Sequence, residues 1–237
     1  MSTRIRDQVA AVRAEIEQRP SGLVRHVQRV LIEARDLAER WDVDPERIEL
    51  ATWGHDLFRS FKREDLVRFA SESGVPVSQE DEANPVLLHG PIASVVLVER
   101  FGIDDADVIA AVRDHTLGSA EMSTIAKIIL LADKFESSKR ERTPAMKAIR
   151  QTARKDLDLA LLAWADWRWI ENRSRGWSSH ASFWAGRERW VPEHHFELSR
   201  NLPERTADDG WYAAAEAREP TPDRRTLEER RAARGEG

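Results

Sequence analysis

Residues 87–140 read LLHGPIASVVLVERFGIDDADVIAAVRDHTLGSAEMSTIAKIILLADKFESSKR. Three apolar runs of helical length lie in this stretch, set apart by turn residues. After Pro91, the segment Ile92–Arg100 reads as a helix that Gly102 is placed to end. Asp104 is the expected cap of a second helix over Ala106–His115, and Ser123 of a third from Thr124 to about Glu136.

The same reading extends outward in both directions. Upstream, Ile5–Ile16 is amphipathic and stops before Pro20. Leu23–Trp41 carries apolar residues at Val27, Val30, Leu31, Ala34, Leu37 and Ala38, close to the helical period. Asp44-Pro45 is a start signal, a capping side chain followed by proline at the first helical position, for a helix to about Leu57. Arg63–Ser73 is a short helix stopped by Gly74, and Val75–Asn84 is expected to be an exposed loop. Downstream, Thr143-Pro144 opens a helix leading into Leu157–Ile170. No period-2 strand series occurs, so the expected fold is an all-α helical bundle over residues 1–190. A less ordered, Trp-rich and Pro-broken C-terminal extension would cover 191–237, its last residues charged with little to bury.

Composition narrows the class. The 237 residues are 41% hydrophobic and 33% charged, which fits a soluble globular protein. No apolar run approaches the ~20 residues that cross a bilayer, and the N-terminal segment lacks the apolar stretch of a secretory signal. Absence of cysteine excludes disulfides, thiolate nucleophiles and cysteine metal sites. A cytoplasmic location is the expectation. A net charge of −5 argues against broad attraction to nucleic acid or anionic lipid. Recognition of phosphate must then be local.

The chemistry-bearing residues fall at the ends of apolar helices. His26 lies in the helix after Gly22, His55-Asp56 in ATWGHDLF, His89 in PVLLHGP, His115 in AAVRDHTLG and Asp133 in IAKIILLADKFE. A single histidine at a helix end is more often a cap or a surface group. Asp133 is different, because a carboxylate amid Ile128, Ile129, Leu130 and Leu131 needs a cation or several hydrogen bonds to offset its desolvation. Histidine and carboxylate together suit Fe, Mn, Zn, Ni or Co. Six such groups are too many for one catalytic metal with an open position and about right for two sharing a carboxylate. Asp56, tied to His55, is the natural bridge.

The order His, His-Asp, His, His, Asp resembles the HD-domain superfamily of metal-dependent phosphohydrolases. Within it, the quoted stretch is similar to bacterial symmetrical diadenosine-tetraphosphate hydrolases, which show a His-Thr-x-Gly turn and then Met-Ser before a helix ending in Ala-Asp. Here these are His115, Thr116, Gly118, Met122, Ser123, Ala132 and Asp133. The resemblance covers about residues 20–140 closely and 141–190 loosely. It implies one metal among His26, His55, Asp56 and Asp133, and a second held by His89 and His115 with Asp56 between them. It further implies two divalent or mixed-valence transition metals, with iron first among them, and a nucleotide substrate, diadenosine tetraphosphate, cut to two ADP.

The chain departs from that pattern in three places. Asp114 stands where the family usually has tyrosine, Glu136 is followed by Ser137-Ser138-Lys139-Arg140 rather than proline and arginine, and His55-Asp56 by Leu57, Phe58 and Arg59. Arg59, Lys139 and Arg140 are the candidate phosphate clamps, with Thr116 and Gly118 beside them. Arg113 could pair with Asp114 or Glu99. Among the tryptophans, Trp164 and Trp167 can share a helix face and pack on the domain; an oligomer contact, a homodimer included, is a further expectation. His180, His194 and His195 lack a diagnostic ligand spacing. Other readings keep the metals but change the substrate to a nucleoside monophosphate, a triphosphate or a cyclic dinucleotide, or make the chain a non-catalytic nucleotide sensor.

Overall fold

The apolar run at the heart of the decisive stretch forms a helix buried on almost every side, from Ile125 to Phe135. That burial is what a helix hydrophobic all round requires. The computed structural model describes residues 3–187 apart from 178 and 184. In chain order its helices are α1 (Thr3–Glu17), α2 (Ser21–Arg40), α3 (Pro45–Gly54), α4 (Arg63–Glu72), α5 (Gln79–Ala83), α6 (His89–Glu99), α7 (Ala106–Asp114), α8 (Thr124–Phe135), α9 (Ser137–Arg142), α10 (Pro144–Ala153) and α11 (Leu157–Ser174). No strand occurs among the described residues, and the all-α expectation holds. None of the helices is long and apolar enough to cross a membrane.

The central helix α8 packs on α2, α3, α7, α10 and α11, while α3 lies between α1, α2 and α7. Buried Val27, Val30, Ala34 and Leu37 of α2 meet Ile48, Leu50 and Trp53 of α3 and the apolar face of α8 in one continuous core. The start signals work as read at two helices. Asp44 accepts from Glu46 N at 2.8 Å with Pro45 in the first turn, and Ser123 Oγ accepts from Ala126 N at 3.3 Å.

Several expectations are corrected. Asp105, not Asp104, caps α7, accepting from the backbone of Asp107 and Val108, while Asp104 pairs with Arg4 at the surface. The segment expected as an exposed loop contains α5, because Ser78 and Asp81 form a reciprocal capping box and Asp81 is buried. Helix α6 begins at His89 rather than Ile92, with Pro91 tolerated in a first turn whose N–H groups need no helical partner. Helix α3 stops at Gly54. The chain then tightens, with Leu57 N bonding Gly54 O and Arg59 N bonding Asp56 O, three residues back rather than four. After α8 comes the short helix α9, then α10 opens at Pro144 as the Thr143-Pro144 signal implies, and residues 154–156 separate it from α11. Trp164 is buried and Trp167 packs against the core, as expected. Trp184, Trp190, Trp211, His194, His195 and the extension 191–237 lie outside the described residues.

Two glycines allow the close helix approaches that assemble the site. A Cβ on Gly54 would meet Leu97 Cδ1 of α6 at 2.9 Å. One on Gly90 would meet Val112 O of α7 at 2.8 Å and His115 Cε1 at 3.1 Å. Each glycine adjoins a histidine, Gly54 before His55 and Gly90 after His89. The bare backbone lets the ends of α3, α6 and α7 converge.

Candidate metal centre

Five helices bring six side chains to one point. His26 comes from α2, His55 and Asp56 from the end of α3, His89 from the start of α6, His115 from the end of α7 and Asp133 from the last turn of α8. Asp56 is at the middle. Its Oδ2 lies 3.5 Å from His26 Nε2 and 3.6 Å from His55 Nε2. Its Oδ1 lies 3.2 Å from His89 Nε2 and 3.7 Å from His115 Nε2. One carboxylate therefore turns one oxygen to each of two histidine pairs. Asp133 joins the first pair, with Oδ1 3.1 Å from His26 Nε2. Two groups could hold a metal ion, His26-His55-Asp56 and Asp56-His89-His115, and they share Asp56.

The hydrogen bonds of the rings test whether a cation fits. His55 Nδ1 lies 2.6 Å from Thr52 O, His115 Nδ1 lies 2.7 Å from Val112 O, and His89 Nδ1 contacts Val86 O. A carbonyl oxygen only accepts, so each Nδ1 carries the proton and each Nε2 presents a lone pair inward. His55 Nε2 is buried with no hydrogen-bond partner. His89 Nε2 and His115 Nε2 face each other at 2.9 Å. Two lone pairs at that separation repel unless a cation or a proton lies between them. Ligating histidines characteristically spend their other nitrogen on a backbone carbonyl in this way. The donor set fits a divalent metal.

Electrostatics agree with the geometry. Burial pushes His55 and His115 below the usual histidine range, and neighbouring imidazoles push the same way. Both are then neutral at pH 7, as ligation demands. Burial opposes ionisation of Asp56, yet His55, His89 and His115 hold it well below the usual carboxylate range. Asp133 behaves alike: against its burial stand Lys134, Lys139 and His26. His26 is the exception among the rings. Burial lowers it, but hydrogen bonds to Asp133 and Glu136 outweigh that and raise it to about 9. Without metal, protonated His26 offsets part of the negative charge of Asp133 and Glu136.

The remaining sequence candidates separate. Arg59 follows Asp56 by three residues and is exposed, with no side-chain ion pair among the described residues. Lys139 Nζ lies 2.6 Å from Asp133 Oδ1 and 2.7 Å from its carbonyl oxygen, which puts it at the edge of the cluster. Thr116 Oγ1 is 3.1 Å from His115 Nε2. Gly118 has φ +78° and donates to Asp114 O at 2.7 Å, a turn-forming role of its backbone. Arg140 is not brought to the cluster. Its guanidinium contacts Glu33 of α2 and donates to Phe135 O, a structural tie that its sequence neighbour Lys139 does not share. Arg113 pairs with Asp114 through two bonds of 2.7 Å.

Two participants were missed. Glu136 is buried, accepts from Arg29 Nε at 2.6 Å, and sets Oε1 3.7 Å from His26 Nδ1. Lys134 is half-buried, its Nζ 2.7 Å from Asp133 Oδ2 and over the Trp164 ring at 5.7 Å. A cation directly after Asp133 in an otherwise apolar helix was the available signal for Lys134.

Comparison with known proteins places this geometry. A Halalkalibacterium halodurans protein named symmetrical bis(5'-nucleosyl)-tetraphosphatase is 33% identical over 141 residues, spanning 59% of this chain and 73% of that one. Its Bacillus subtilis namesake is 30% identical over 137 residues, 58% and 72% of the respective chains. The chain belongs to this family. A solved structure from Clostridium acetobutylicum, described as a predicted HD superfamily hydrolase involved in NAD metabolism, superposes with a TM-score of 0.70 at 26% identity. It covers 79% of this chain and 97% of its own. No family model matches the chain. As a member of the symmetrical bis(5'-nucleosyl)-tetraphosphatase family with the HD fold, the chain is a metal-dependent phosphohydrolase of nucleotides.

Proposed function

We propose that the chain cleaves diadenosine tetraphosphate symmetrically into two ADP at a two-metal centre. His26, His55, Asp56 and Asp133 hold one metal, and Asp56, His89 and His115 the other. The observation that carries this reading is the placement of Asp56, whose two oxygens face separate histidine pairs. The names of the relatives support the substrate. Iron is the metal we propose, since imidazole with carboxylate suits it, although Mn, Co, Ni and Zn share that preference.

Metals bound there supply Lewis-acid polarisation of phosphoryl oxygens and lower the pKa of the attacking water. The chain's own groups do the rest. The backbone carbonyls of Thr52, Val86 and Val112 fix the tautomer and angle of three rings. Such carbonyl bonds pre-organise the donors, so little reorganisation accompanies the reaction. Lys139 places positive charge at the edge of the cluster, where a tetraphosphate needs its charge offset, and exposed Arg59, three residues after Asp56, is the second cation assigned to it. Neither nucleic acid nor membrane is part of this reading; the partner is a small nucleotide.

The test is turnover of a panel comprising diadenosine tetraphosphate, a nucleoside monophosphate, a triphosphate and a cyclic dinucleotide, with products separated by chromatography. Two ADP from the first is the expected result. ATP plus AMP, or turnover confined to another compound, would overturn the assignment.

A further inference from the structure

The two carboxylate oxygens of Asp133 are held by different lysines. Oδ1, the oxygen 3.1 Å from His26 Nε2, takes Lys139 Nζ at 2.6 Å. Oδ2 takes Lys134 Nζ at 2.7 Å. A cation bound in the His26 half needs an oxygen of Asp133, so how firmly each lysine is seated decides which oxygen is given up.

The seating differs. Lys139 belongs to the short helix α9, and its side chain is 32% exposed. Its ammonium rests on Asp133 alone among the contacts that hold it, through Oδ1 and the backbone carbonyl. The Lys134 side chain is only 17% exposed, and its ammonium lies 5.7 Å from the centre of the Trp164 ring, within cation–π range. Trp164 is itself buried on α11, with Phe183 edge-on against it at a centroid distance of 5.9 Å. Lys139 can therefore swing into solvent, whereas Lys134 is closed in between a carboxylate and a fixed aromatic face.

Lys127, two turns earlier in α8, shows what sets Lys134 apart. It pairs with Asp158 of α11 at 2.5 Å, an ordinary tie between helices. Among the described residues, α11 thus sets a carboxylate against Lys127 and a ring against Lys134. A ring attracts the ammonium without neutralising it, so the charge and the hydrogen bond of Lys134 are directed to Asp133. Partners of this kind orient a ligating carboxylate and tune it as a donor. A lone Asp133 oxygen leaves room at a metal, and a second would fill a position that water or substrate needs.

We propose that Lys134 is a positioning residue of the metal centre: braced on Trp164, it keeps Oδ2 of Asp133 and leaves Oδ1 alone for the metal. Lys139 is the cation that yields. The proposal rests on the two-metal reading above and names what keeps a position open in its His26 half. Removing Lys134 then frees a second oxygen and removes a repelling charge, and both changes tighten the hold on a divalent cation. A lysine that only supports the fold has the opposite effect, since its loss would loosen the site.

Calorimetric titration of the metal-stripped full chain with manganese(II), together with its electron paramagnetic resonance spectrum, tests this. Lys134→Met keeps an apolar stem against Trp164 and deletes the charge. It is expected to bind manganese about ten-fold more tightly than wild type, with a changed zero-field splitting as the second oxygen enters. Lys134→Arg, which retains a cation on Oδ2, is expected to stay within about three-fold of wild type and to keep its spectrum. Unchanged or weaker binding by folded Lys134→Met would overturn the proposal. Should that variant not fold, crystals of manganese-loaded wild-type protein decide. Asp133 bound through Oδ1, with Lys134 still on Oδ2, is the expected result, and both oxygens on the metal would overturn it. Wild-type protein that takes up no manganese would remove the metal reading and this proposal together. Wild-type uptake of two ions with no tightening in Lys134→Met removes the role of Lys134 alone.

Discussion

Asp56 concentrates the chemistry in one side chain, because its two oxygens serve two histidine pairs. Asp56→Ala is expected to reduce bound metal from two per chain to one or none and to abolish turnover, read by metal analysis and a nucleotide assay. Two metals retained with full activity would contradict that role. His26 adds a pH signature. Its value of about 9 without metal means that metal uptake expels a proton from it at pH 7. Metal affinity then rises with pH up to about 9, and titration in buffers of different ionisation enthalpy reads the released proton. The metal-free fold behaves in the opposite sense. A histidine raised in the folded state stabilises fully below its unfolded value near 6.5 and loses that stabilisation as pH passes about 9. The melting temperature of metal-free protein should fall between those limits. Glu136 acts through His26, so Glu136→Gln is expected to weaken metal binding about 10-fold or more and to leave the helical content unchanged. The convergence of the six candidate residues was legible in the sequence because polar groups sat on apolar helices in which they needed a partner. Glu136 and Lys134 were not, since their importance depends on which face of α8 and its C-terminal turn meets α2.

At the scale of elements, helix ends rather than helix middles make most of the centre. The expected helices α2, α7 and α8 follow the apolar period closely, because each buries a broad face, and α7 and α8 carry side-chain caps as well. The errors fell where short-range hydrogen bonds compete with the period. The capping box of Ser78 and Asp81 was present in the sequence as Ser-x-x-Asp, but its flanking acidic residues made the segment read as solvated. The tightened turn after Gly54 could not be read from periodicity, since it depends on how close α6 comes. That proximity gives a direct prediction for Gly90→Ala. The added methyl meets Val112 O at 2.8 Å, so α6 must shift from α7. A loss of about 1–3 kcal/mol in unfolding free energy is expected from such overpacking. The His89-His115 half should lose metal before the His26-His55 half, as metal titration of the variant would show.

Across the whole molecule, charge ties distant helices around the centre. Buried Glu33 of α2 pairs with Arg140 of α9 and, at 2.5 Å, with Arg150 of α10, which fastens the C-terminal helices to the N-terminal ones. Partners more than 100 residues apart left no trace in local sequence, which is why Arg140 was read as a phosphate clamp. Glu33→Ala should cost about 2 kcal/mol, below the value for a fully buried pair because both arginines are partly exposed. It should leave the ratio of bound metals unchanged, which thermal unfolding and metal analysis together would show. Two metals flanking one carboxylate would underlie all of this chemistry. Anomalous diffraction from crystals of the metal-loaded protein tests this most directly. Two peaks are predicted, one bounded by His26, His55 and Asp133 and the other by His89 and His115, with Asp56 between them. A single peak, or a pair that does not share Asp56, would contradict it.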